Sequence, residues 1–444
     1  MKTKISLMML LLAAWLLVGC EGQNEPTSEG GDATVESTDI ASVNKKINFY
    51  GTIYEVILKD GNRMYFGLKN DKEVRMGCWS YFYDGCEDEY DTYAPYEYKG
   101  HLVIPEKITL EGKEYMVTEL YRMSASRYSL NMGIIRPERP NTTLLSVVIP
   151  KTIKEMRSLC FSCCTALKSV TFATDSPIKG FNERTFLGCS SLEEVILPEN
   201  LSSIGEEVFW SCTSLKTINL PETVTEIDCE AFLGCISLEN INLENVKVIG
   251  KEGWKSSAFA GCIALKNVNL ESAIKIYRHT FSGCTSLENI KLDNLEVLGR
   301  EAFDSCTSLK KIELPSIKYL GIDVEEDEDE RYWQEGDAFV DCRSLETVVL
   351  GSSLIKTNRD NALFEGCDNL KDVYCYAVNP PLYPRCETSV RDGEFCDERK
   401  FMGDFILHVL ATSIEAYKQT SWGYIDESIY FWADQERTIV AIEE

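Results

Sequence analysis

Residues 209–221, FWSCTSLKTINLP, contain the pattern that decides the fold of this chain. The recurring positions of this pattern are Phe-x-x-Cys-x-x-Leu-x-x-Ile-x-Leu, and its Phe, Cys and Leu return nine times. The nine triplets are Phe161/Cys164/Leu167, Phe186/Cys189/Leu192, Phe209/Cys212/Leu215, Phe232/Cys235/Leu238, Phe259/Cys262/Leu265, Phe281/Cys284/Leu287, Phe303/Cys306/Leu309, Phe339/Cys342/Leu345 and Phe364/Cys367/Leu370. Successive cysteines are 22 to 36 residues apart. A period in the low twenties is typical of a solenoid, in which each repeat buries its apolar face by stacking on its neighbours.

The two halves of the repeat have different periodicities. The Leu-x-x-Ile-x-Leu half ends in an alternation, which predicts a short strand with one face inward. Stacked repeats would pair these strands in parallel and build one sheet. In the return half, apolar and small residues lie three and four positions apart, as at Leu295, Leu298 and Ala302. This spacing favours a helical turn or a 3₁₀ segment over a strand.

Each repeat contributes one cysteine, and residues 160–163, CFSC, add a C-x-x-C motif. That motif alone would suggest zinc or redox chemistry. In the register of the repeat, however, Cys160 takes the small position of Ala231, and Cys163 takes the position of Gly234. We therefore predict that the repeated cysteines are buried and inert, because a free thiol is small and easily buried. The alternative, a thiol-based redox protein, requires accessible cysteines with a low pKa.

The Phe-x-Gly-Cys-x-x-Leu runs at residues 186–192, 232–238, 281–287 and 364–370 resemble the BspA-like leucine-rich repeat family of bacterial and some protist surface proteins. The resemblance implies a leucine-rich repeat solenoid with short parallel strands stacked in one sheet. Turns, a 3₁₀ segment or a short helix would form the return, with a β-rich cap before the repeats and a mixed cap after them. The resemblance also implies a surface for binding or adhesion, and it transfers no catalytic residue.

Residues 1–19 have the features of a signal peptide, since two lysines precede an uninterrupted apolar core. The run LVGC at residues 17–20 resembles a bacterial lipoprotein cleavage box, which implies that Cys20 becomes the lipid-modified first residue. An ordinary signal peptide and an uncleaved anchor are the alternatives. Residues 20–45 are rich in Glu, Ser, Thr and Gly, so we predict a flexible tether there. The expected location is the bacterial cell envelope, as a surface-exposed outer-membrane lipoprotein that contacts the membrane only through its lipid.

Three regions follow the predicted tether. Residues 46–145 are predicted to form a β-rich N-terminal cap, with strands at 49–58 and 63–68 and an early, degenerate repeat at 101–120. Residues 146–376 are predicted to form the solenoid. The rest of the chain, residues 377–444, is predicted to form the C-terminal cap, with a last strand at 405–409 and a short amphipathic helix at 414–418.

Four cysteines outside the repeats flank Asp-Gly turns, Cys78 with Cys86 and Cys386 with Cys396. Either pair could close a small disulfide loop in an exported protein. The segment 78–98 is acidic and rich in tyrosine, and it has two interpretations. It is either a loop of the cap that packs on the first repeat or a recognition surface, for which tyrosine is well suited.

Two repeats are longer than the others, and both insertions fall directly before the Ala-Phe pair of the repeat. Insertions at one register position emerge on one edge of a solenoid. The first insertion contains Trp254 and the second contains Tyr332 and Trp333, so we predict a binding edge built on these three residues. The alternative is a pair of tolerated, solvated loops. The acidic run at 325–330 lacks the glycine and the spacing of a helix-loop-helix calcium site, so no metal site is predicted.

The formal net charge of −26 argues against nucleic acid and anionic lipid surfaces as partners. The three histidines, His101, His279 and His408, are scattered, and the sequence contains no catalytic motif and no cofactor motif. His279 precedes Cys284 by five residues, but its register position holds Glu301 in another repeat and should face solvent. We therefore predict a protein that is not an enzyme, needs no cofactor, and binds a glycan or a protein through its solenoid surface. The alternative is a structural scaffold component of a cell-envelope assembly.

Overall fold

The computed structural model describes residues 39–48, 51–77, 98–122, 128–131, 134–137, 140–251, 256–321, 338–357, 363–381, 405–419, 424–426, 434–436 and 438–442. All of them belong to the larger of the two units into which the chain divides, Thr34–Glu444. Several predictions lie outside the described residues: Cys20 and the signal peptide, Trp254, Tyr332, Trp333, both disulfide pairs, and all of the tyrosine-rich segment except Tyr98.

In the described part of the chain, nine strands precede the first repeat. They are β1 (Ile40–Asn48), β2 (Gly51–Leu58), β3 (Arg63–Leu68), β4 (Glu73–Met76), β5 (Gly100–Val103), β6 (Lys107–Leu110), β7 (Lys113–Leu120), β8 (Tyr128–Asn131) and β9 (Ile134–Pro137). Six of them form a sheet in the order β1-β2-β3-β4-β7, with β6 beside β7. β2 and β3 confirm the two strands predicted for the start of the cap.

β1 lies partly within the predicted tether, so the tether assignment is wrong for residues 40–45. The strand pairs with β2 in antiparallel fashion from end to end. Its side chains at positions 41–47 are exposed, and Lys45 forms an ion pair of 2.8 Å with Glu111. Backbone hydrogen bonds to β2 and charged side chains hold this strand in place, and an apolar face does not. Its sequence therefore lacks the apolar alternation that would have predicted a strand.

From residue 144 to residue 375, the strands fall into two sets, one from each half of the repeat. The strands from the Leu-x-x-Ile-x-Leu halves, here called front strands, are β10 (Leu144–Ile149), β12 (Ser169–Phe172), β13 (Glu194–Ile196), β15 (Thr217–Ile218), β17 (Asn240–Ile241), β19 (Asn267–Asn269), β21 (Asn289–Lys291), β23 (Lys311–Leu314), β25 (Thr347–Leu350) and β27 (Asp372–Cys375). The strands from the return halves, here called return strands, are β11 (Glu155–Met156), β14 (Ser203–Ile204), β16 (Glu226–Ile227), β18 (Val248–Ile249), β20 (Lys275–Ile276), β22 (Val297–Leu298), β24 (Tyr319–Leu320) and β26 (Lys356–Thr357).

The front strands pair in parallel as predicted, but their hydrogen-bonded ladder is interrupted. Continuous pairing joins β5-β10-β12-β13, then β15-β17, then β19-β21, and finally β23-β25-β27. The return strands from β14 to β26 form a second parallel sheet of seven strands. β5 pairs in parallel with β10, and β7 with β11, which confirms the early repeat at residues 101–120. The predicted repeat solenoid is therefore confirmed, with two sets of parallel strands instead of one.

Of the conformations predicted for the return half, turns are confirmed, whereas the expectation of a helix or 3₁₀ segment rather than a strand is wrong, because the described return halves consist of turns and two-residue strands. Two positions in the repeat have left-handed backbone dihedrals, for example Glu230 with φ of 55° and Gly234 with φ of 70°. A residue with positive φ cannot continue a right-handed helix. Cys163 occupies the position of Gly234 with φ of 56°, so its place in the C-x-x-C motif is a consequence of the repeat register.

The nine phenylalanines of the repeat form one continuous stack through the core. Adjacent ring centroids are 5.1 to 5.9 Å apart, and adjacent planes differ by 3 to 17°. Every one of these rings is at most 2% exposed. Each buried ring stabilises the fold by about 1.5–3 kcal/mol of gross transfer free energy, and the stacked geometry adds to it. The stack therefore ties every repeat to the next.

The repeated cysteines make a second column, and each thiol beyond the first donates a hydrogen bond to the phenylalanine carbonyl of the preceding repeat. The Sγ–O distances in these eight bonds are 3.0 to 3.3 Å. Cys284, for example, donates to Phe259, whose carbonyl also accepts the backbone N–H of Cys262 in its own repeat. The column thus fills space and gives the buried carbonyl its second partner.

Burial also makes these thiols chemically inert. It raises the pKa of Cys235 and of Cys284 to about 12, and it raises the pKa of Cys212 and Cys262 well above the usual range. A thiolate is the reactive form of cysteine, and a raised pKa removes it at neutral pH. The prediction of an inert column is confirmed for the described repeats, and these cysteines cannot support the redox alternative.

The C-terminal cap continues the front strands. β28 (Ile406–Val409) pairs in parallel with β27 and confirms the predicted last strand. A 3₁₀ turn (Ala411–Ser413) and the short helix α1 (Ile414–Lys418) follow, and the Tyr417 hydroxyl donates to the carbonyl of Ala377 at 3.1 Å. β29 (Tyr424–Asp426) and β30 (Asp434–Glu436) form a hairpin, and β31 (Ile439–Ala441) pairs with β28. No helix in the described ranges is long and apolar enough to cross a membrane.

We expect the protein to lose stability steeply in alkaline solution. An unfolded thiol titrates near about 8.5, whereas folded Cys284 keeps its proton up to a pKa of about 12. Between these values the folded chain binds more protons than the unfolded chain, so the free energy of unfolding falls as the pH rises. Each such thiol contributes about 1.4 kcal/mol per pH unit. Urea unfolding between pH about 9 and about 11 measures this slope.

Cys284→Ala removes one titrating thiol and should make that slope shallower, even though it also lowers stability at neutral pH. Thr285→Ala, at the exposed neighbouring position, is the matched control and should leave the slope unchanged. An identical slope in wild type and Cys284→Ala would contradict the assignment of the alkaline loss to the buried thiols.

Candidate binding surface

The predicted binding edge is approached by described residues on both sides of each insertion. Lys251 and Ser256 flank the first insertion, and Gly321 and Ala338 flank the second. At Gly250, whose φ is 86°, an added Cβ would lie 2.0 Å from the Ser256 Oγ. Only glycine therefore fits where the chain leaves the repeat for the first insertion.

Both insertions rejoin the solenoid at the same corner, as their register predicts. Backbone bonds of 2.8 to 2.9 Å run from Phe259 N to Thr280 O, from Phe281 N to Ala302 O, and from Phe303 N to Ala338 O. Ala258 and Ala338 are therefore three rungs apart, or about 14 Å at about 4.8 Å per rung. The insertion corner is defined as residues 228–230, 256–258, 278–280 and 300–302 with the equivalent residues of other repeats, and both insertions rejoin the described chain there.

Charged side chains form ion pairs between neighbouring rungs of the insertion corner. Arg184 donates two hydrogen bonds to the buried carboxylate of Glu207, at 2.6 and 2.7 Å. The His279 Nδ1 lies 2.9 Å from the Glu301 Oε2, and the His279 side chain is 28% exposed. Cys284 is fully buried and donates to a carbonyl. His279 is thus partly exposed and contacts Glu301, while Cys284 points into the core, so the two side chains have different partners.

One group of carboxylates among the described residues is close enough to share a cation: Glu183, Glu206 and Glu207. Arg184 supplies positive charge to this group already. Its guanidinium contacts Glu183 at 2.6 Å as well as Glu207. The cluster is thus an internal ion-pair network of the corner.

The front face carries a column of alternating charge that sequence reasoning missed. The residue after the Leu of each triplet is, in order, Lys168, Glu193, Lys216, Glu239, Lys266, Glu288, Lys310, Glu346 and Lys371. Backbone bonds of 2.8 to 3.0 Å join five of the eight successive pairs directly, for example from Glu288 N to Lys266 O. Lys371 Nζ lies 2.9 Å from Glu346 Oε2, and the ammonium lowers the pKa of that carboxyl. The column is therefore close to neutral in a chain of net charge −26.

Next to this charge column, the middle of the front face is rich in amides. The outward positions of four successive front strands hold Asn219, Asn240, Asn242, Asn267, Asn269 and Asn289. A groove of about 730 Å³ opens across β17, β19, β21 and β23, where the front ladder is interrupted. Outward positions look variable when one repeat is read alone, and the pattern becomes visible only when the columns are aligned.

A family model for the BspA-type leucine-rich repeat region, in six copies, matches residues 140–257, 252–324 and 334–379. These ranges together cover slightly more than half of the chain. The chain belongs to the BspA-type leucine-rich repeat family. The resemblance seen in the sequence is thereby confirmed, and leucine-rich repeat families of this kind are generally binding scaffolds without enzymatic activity.

Solved structures with the same kind of repeat are similar to this family member. A leucine-rich repeat protein from Bacteroides ovatus is 20% identical, with 86% of this chain and 98% of that chain covered and a TM-score of 0.48. The leucine-rich repeat protein of T. pallidum is 27% identical, with 41% and 87% covered and a TM-score of 0.34. A leucine-rich cell surface protein from Faecalibacterium prausnitzii is 20% identical, with 70% and 92% covered and a TM-score of 0.33. The search against curated proteins found no match.

The alternating column predicts a charge-sensitive stability. Lys266→Glu would place a glutamate beside Glu288, whose backbone N–H bonds to the carbonyl of residue 266, and like charges directly opposite one another in a sheet are destabilising. We expect it to lower the melting temperature by a few degrees relative to Lys266→Gln, which removes the charge without adding repulsion. The difference should shrink at about 1 M salt because the repulsion is screened. Equal melting temperatures of the two variants at low salt would contradict the proposed role of the alternation.

Proposed function

We propose that this protein is a lipid-anchored binding or adhesion protein of the bacterial surface, which recognises a protein or glycan partner through the side of its solenoid. The observation that carries the proposal is the insertion corner. Two insertions that contain Trp254, Tyr332 and Trp333 join one corner, about 14 Å apart along the stack. Aromatic residues are the side chains most often found at the centre of binding surfaces.

The chemistry of the described residues supports binding rather than catalysis. The repeated thiols are inert, and His279 is paired with Glu301 instead of with a nucleophile. At the insertion corner, positively and negatively charged side chains form ion pairs, as in Arg184 with Glu207. Such a surface offers contact area and hydrogen bonds to a partner, and the proposal needs no cofactor.

The proposal is tested by deleting residues 323–335. The deletion shortens the 36-residue step between Cys306 and Cys342 to 23 residues, the length of two other steps, so the solenoid can close without distortion. We expect the full-length variant in detergent to keep the wild-type circular dichroism spectrum and melting temperature. It should lose at least tenfold in affinity for a saturable partner found by screening glycans and matrix proteins against the wild type.

A matched control separates the aromatic residues from the length of the loop. Trp333→Ala and Trp254→Ala should each weaken binding by about 1–3 kcal/mol, whereas Glu328→Gln, in the acidic run of the same insertion, should have little effect. Unchanged affinity after the deletion would contradict the proposal that the insertions form a binding edge. A partner that is captured from envelope extracts equally well by wild type and deletion, with no soluble ligand found, would support the scaffold alternative instead.

The anchor is tested separately. Cys20→Ala, expressed in a bacterial host fed labelled palmitate, should abolish labelling and release the protein from the membrane fraction, since Cys20 is the proposed lipid acceptor. Cys78→Ala is the control and should remain labelled. Protease treatment of intact cells should degrade the wild-type protein, which reports surface exposure. Label retained in Cys20→Ala would contradict the lipoprotein assignment.

A further inference from the structure

We propose that the groove on the front face binds an uncharged oligosaccharide. This inference rests on the proposed role as a binding protein, but it concerns a different surface from the insertion corner. The groove of about 730 Å³ is lined by residues of β17, β19, β21 and β23. Its floor is apolar, since Ile241, Val268 and Leu292 are 8%, 4% and 1% exposed. An apolar floor with a polar rim is typical of small-molecule sites.

The rim offers hydrogen-bonding groups of both kinds side by side. Asn289 Nδ2 donates to Asn267 Oδ1 at 2.8 Å. That bond fixes the two amides and leaves the Asn267 Nδ2 as a donor and the Asn289 Oδ1 as an acceptor, because each amide has two donor hydrogens and an oxygen with two lone pairs. Both side chains are exposed on the face of the groove. A sugar hydroxyl both donates and accepts, so adjacent hydroxyls match this pair.

The rim is also electrically balanced. The lining contains Lys291, Lys310 and Lys311 together with three carboxylates, which are Glu288, Asp293 and Glu313. Lys311 and Glu313 form an ion pair of 2.5 Å. A polyanion laid along the groove would meet carboxylates as often as lysines, and a polycation the reverse, so neither gains net attraction. An uncharged polar ligand avoids this repulsion and can still bond to the three asparagines of the lining, Asn267, Asn269 and Asn289.

The amide-rich stretch differs from the rest of the same face. The outward positions of β13 hold Glu194 and Ile196, and those of β27 hold Asp372 and Tyr374. Amides occupy most outward positions of β17, β19 and β21, and the groove opens across these strands and β23. Successive rungs are about 4.8 Å apart, close to the length of one sugar unit, so an extended glycan could present one unit to each rung.

Binding to the full-length protein in detergent is measured by isothermal titration calorimetry. The probes are laminarin, mannan and xyloglucan, which are neutral, and heparin, which is a polyanion. We expect saturable binding of at least one neutral polysaccharide and none of heparin. Asn267→Ala and Asn289→Ala should each weaken that binding about tenfold, because each removes hydrogen bonds to the ligand and disturbs its neighbour. Asn200→Ala, an exposed asparagine outside the groove lining, is the matched control and should bind as wild type.

The variant that lacks residues 323–335 distinguishes this proposal from the insertion corner. Neutral binding that is kept in the deletion and lost in Asn267→Ala supports the groove. Neutral binding that is lost in the deletion and kept in both asparagine variants overturns the groove and leaves the insertion corner as the site. Failure of all three neutral polysaccharides to bind, or preferential binding of heparin, also overturns the groove, while binding of a protein partner at the insertion corner would be unaffected.

Discussion

The hydrogen bond from a cysteine thiol to the phenylalanine carbonyl of the preceding repeat is the constraint on which the rest of the structure depends. A buried carbonyl without enough partners is costly. Cysteine is small enough to be fully buried, apolar enough to be buried cheaply, and still able to donate one weak bond. Alanine would fill similar space but donate nothing. The recurrent Phe-x-x-Cys spacing therefore sets both the ring stack and the carbonyl contacts, and the two together hold successive repeats in register.

The register set by the core also aligns the surface residues of successive repeats. Because Phe259, Phe281 and Phe303 lie on successive rungs, the residues directly before them also align, which are Ala258, Thr280 and Ala302. The two insertions consequently leave from one corner. On the front face the same alignment turns single outward residues into columns of charge and amide. A function that needs several side chains in a row can be built in such a fold by choosing one residue per repeat, without changing the core.

Most of the fold could be predicted from the sequence, because inward positions repeat at a fixed spacing. The expectation of a helix or 3₁₀ segment in the return half was wrong for a physical reason. An apolar spacing of three and four is shared by a helix and by a chain that turns through left-handed residues. Gly234 hints at such a turn, but Glu207, Glu230 and His279 adopt positive φ with no glycine to reveal it. β1 was missed because its pairing is a property of the backbone and its side chains are mostly exposed.

The two candidate surfaces also differ in how far the sequence predicts them. The insertion corner could be predicted because a change in repeat length is visible in one dimension. The groove could not, since it depends on where the front ladder is interrupted, between β17 and β19 and between β21 and β23. Nothing in the spacing of Asn267 and Asn289 indicates that their amides bond to one another. The position of an interruption in the ladder is visible only in the three-dimensional structure. The pair of amides indicates a binding site only because it lies beside such an interruption.

The most direct test of the account is the S–H stretching band in the Raman spectrum of the folded protein. A thiol that donates a hydrogen bond has its band at lower wavenumber than a thiol that donates none. We predict that the main component of the band is shifted down, as expected when eight of the thirteen free cysteines among the described residues donate in one geometry. A band at the position of a simple thiol in an apolar solvent would mean that the cysteines only fill space, and would contradict the account.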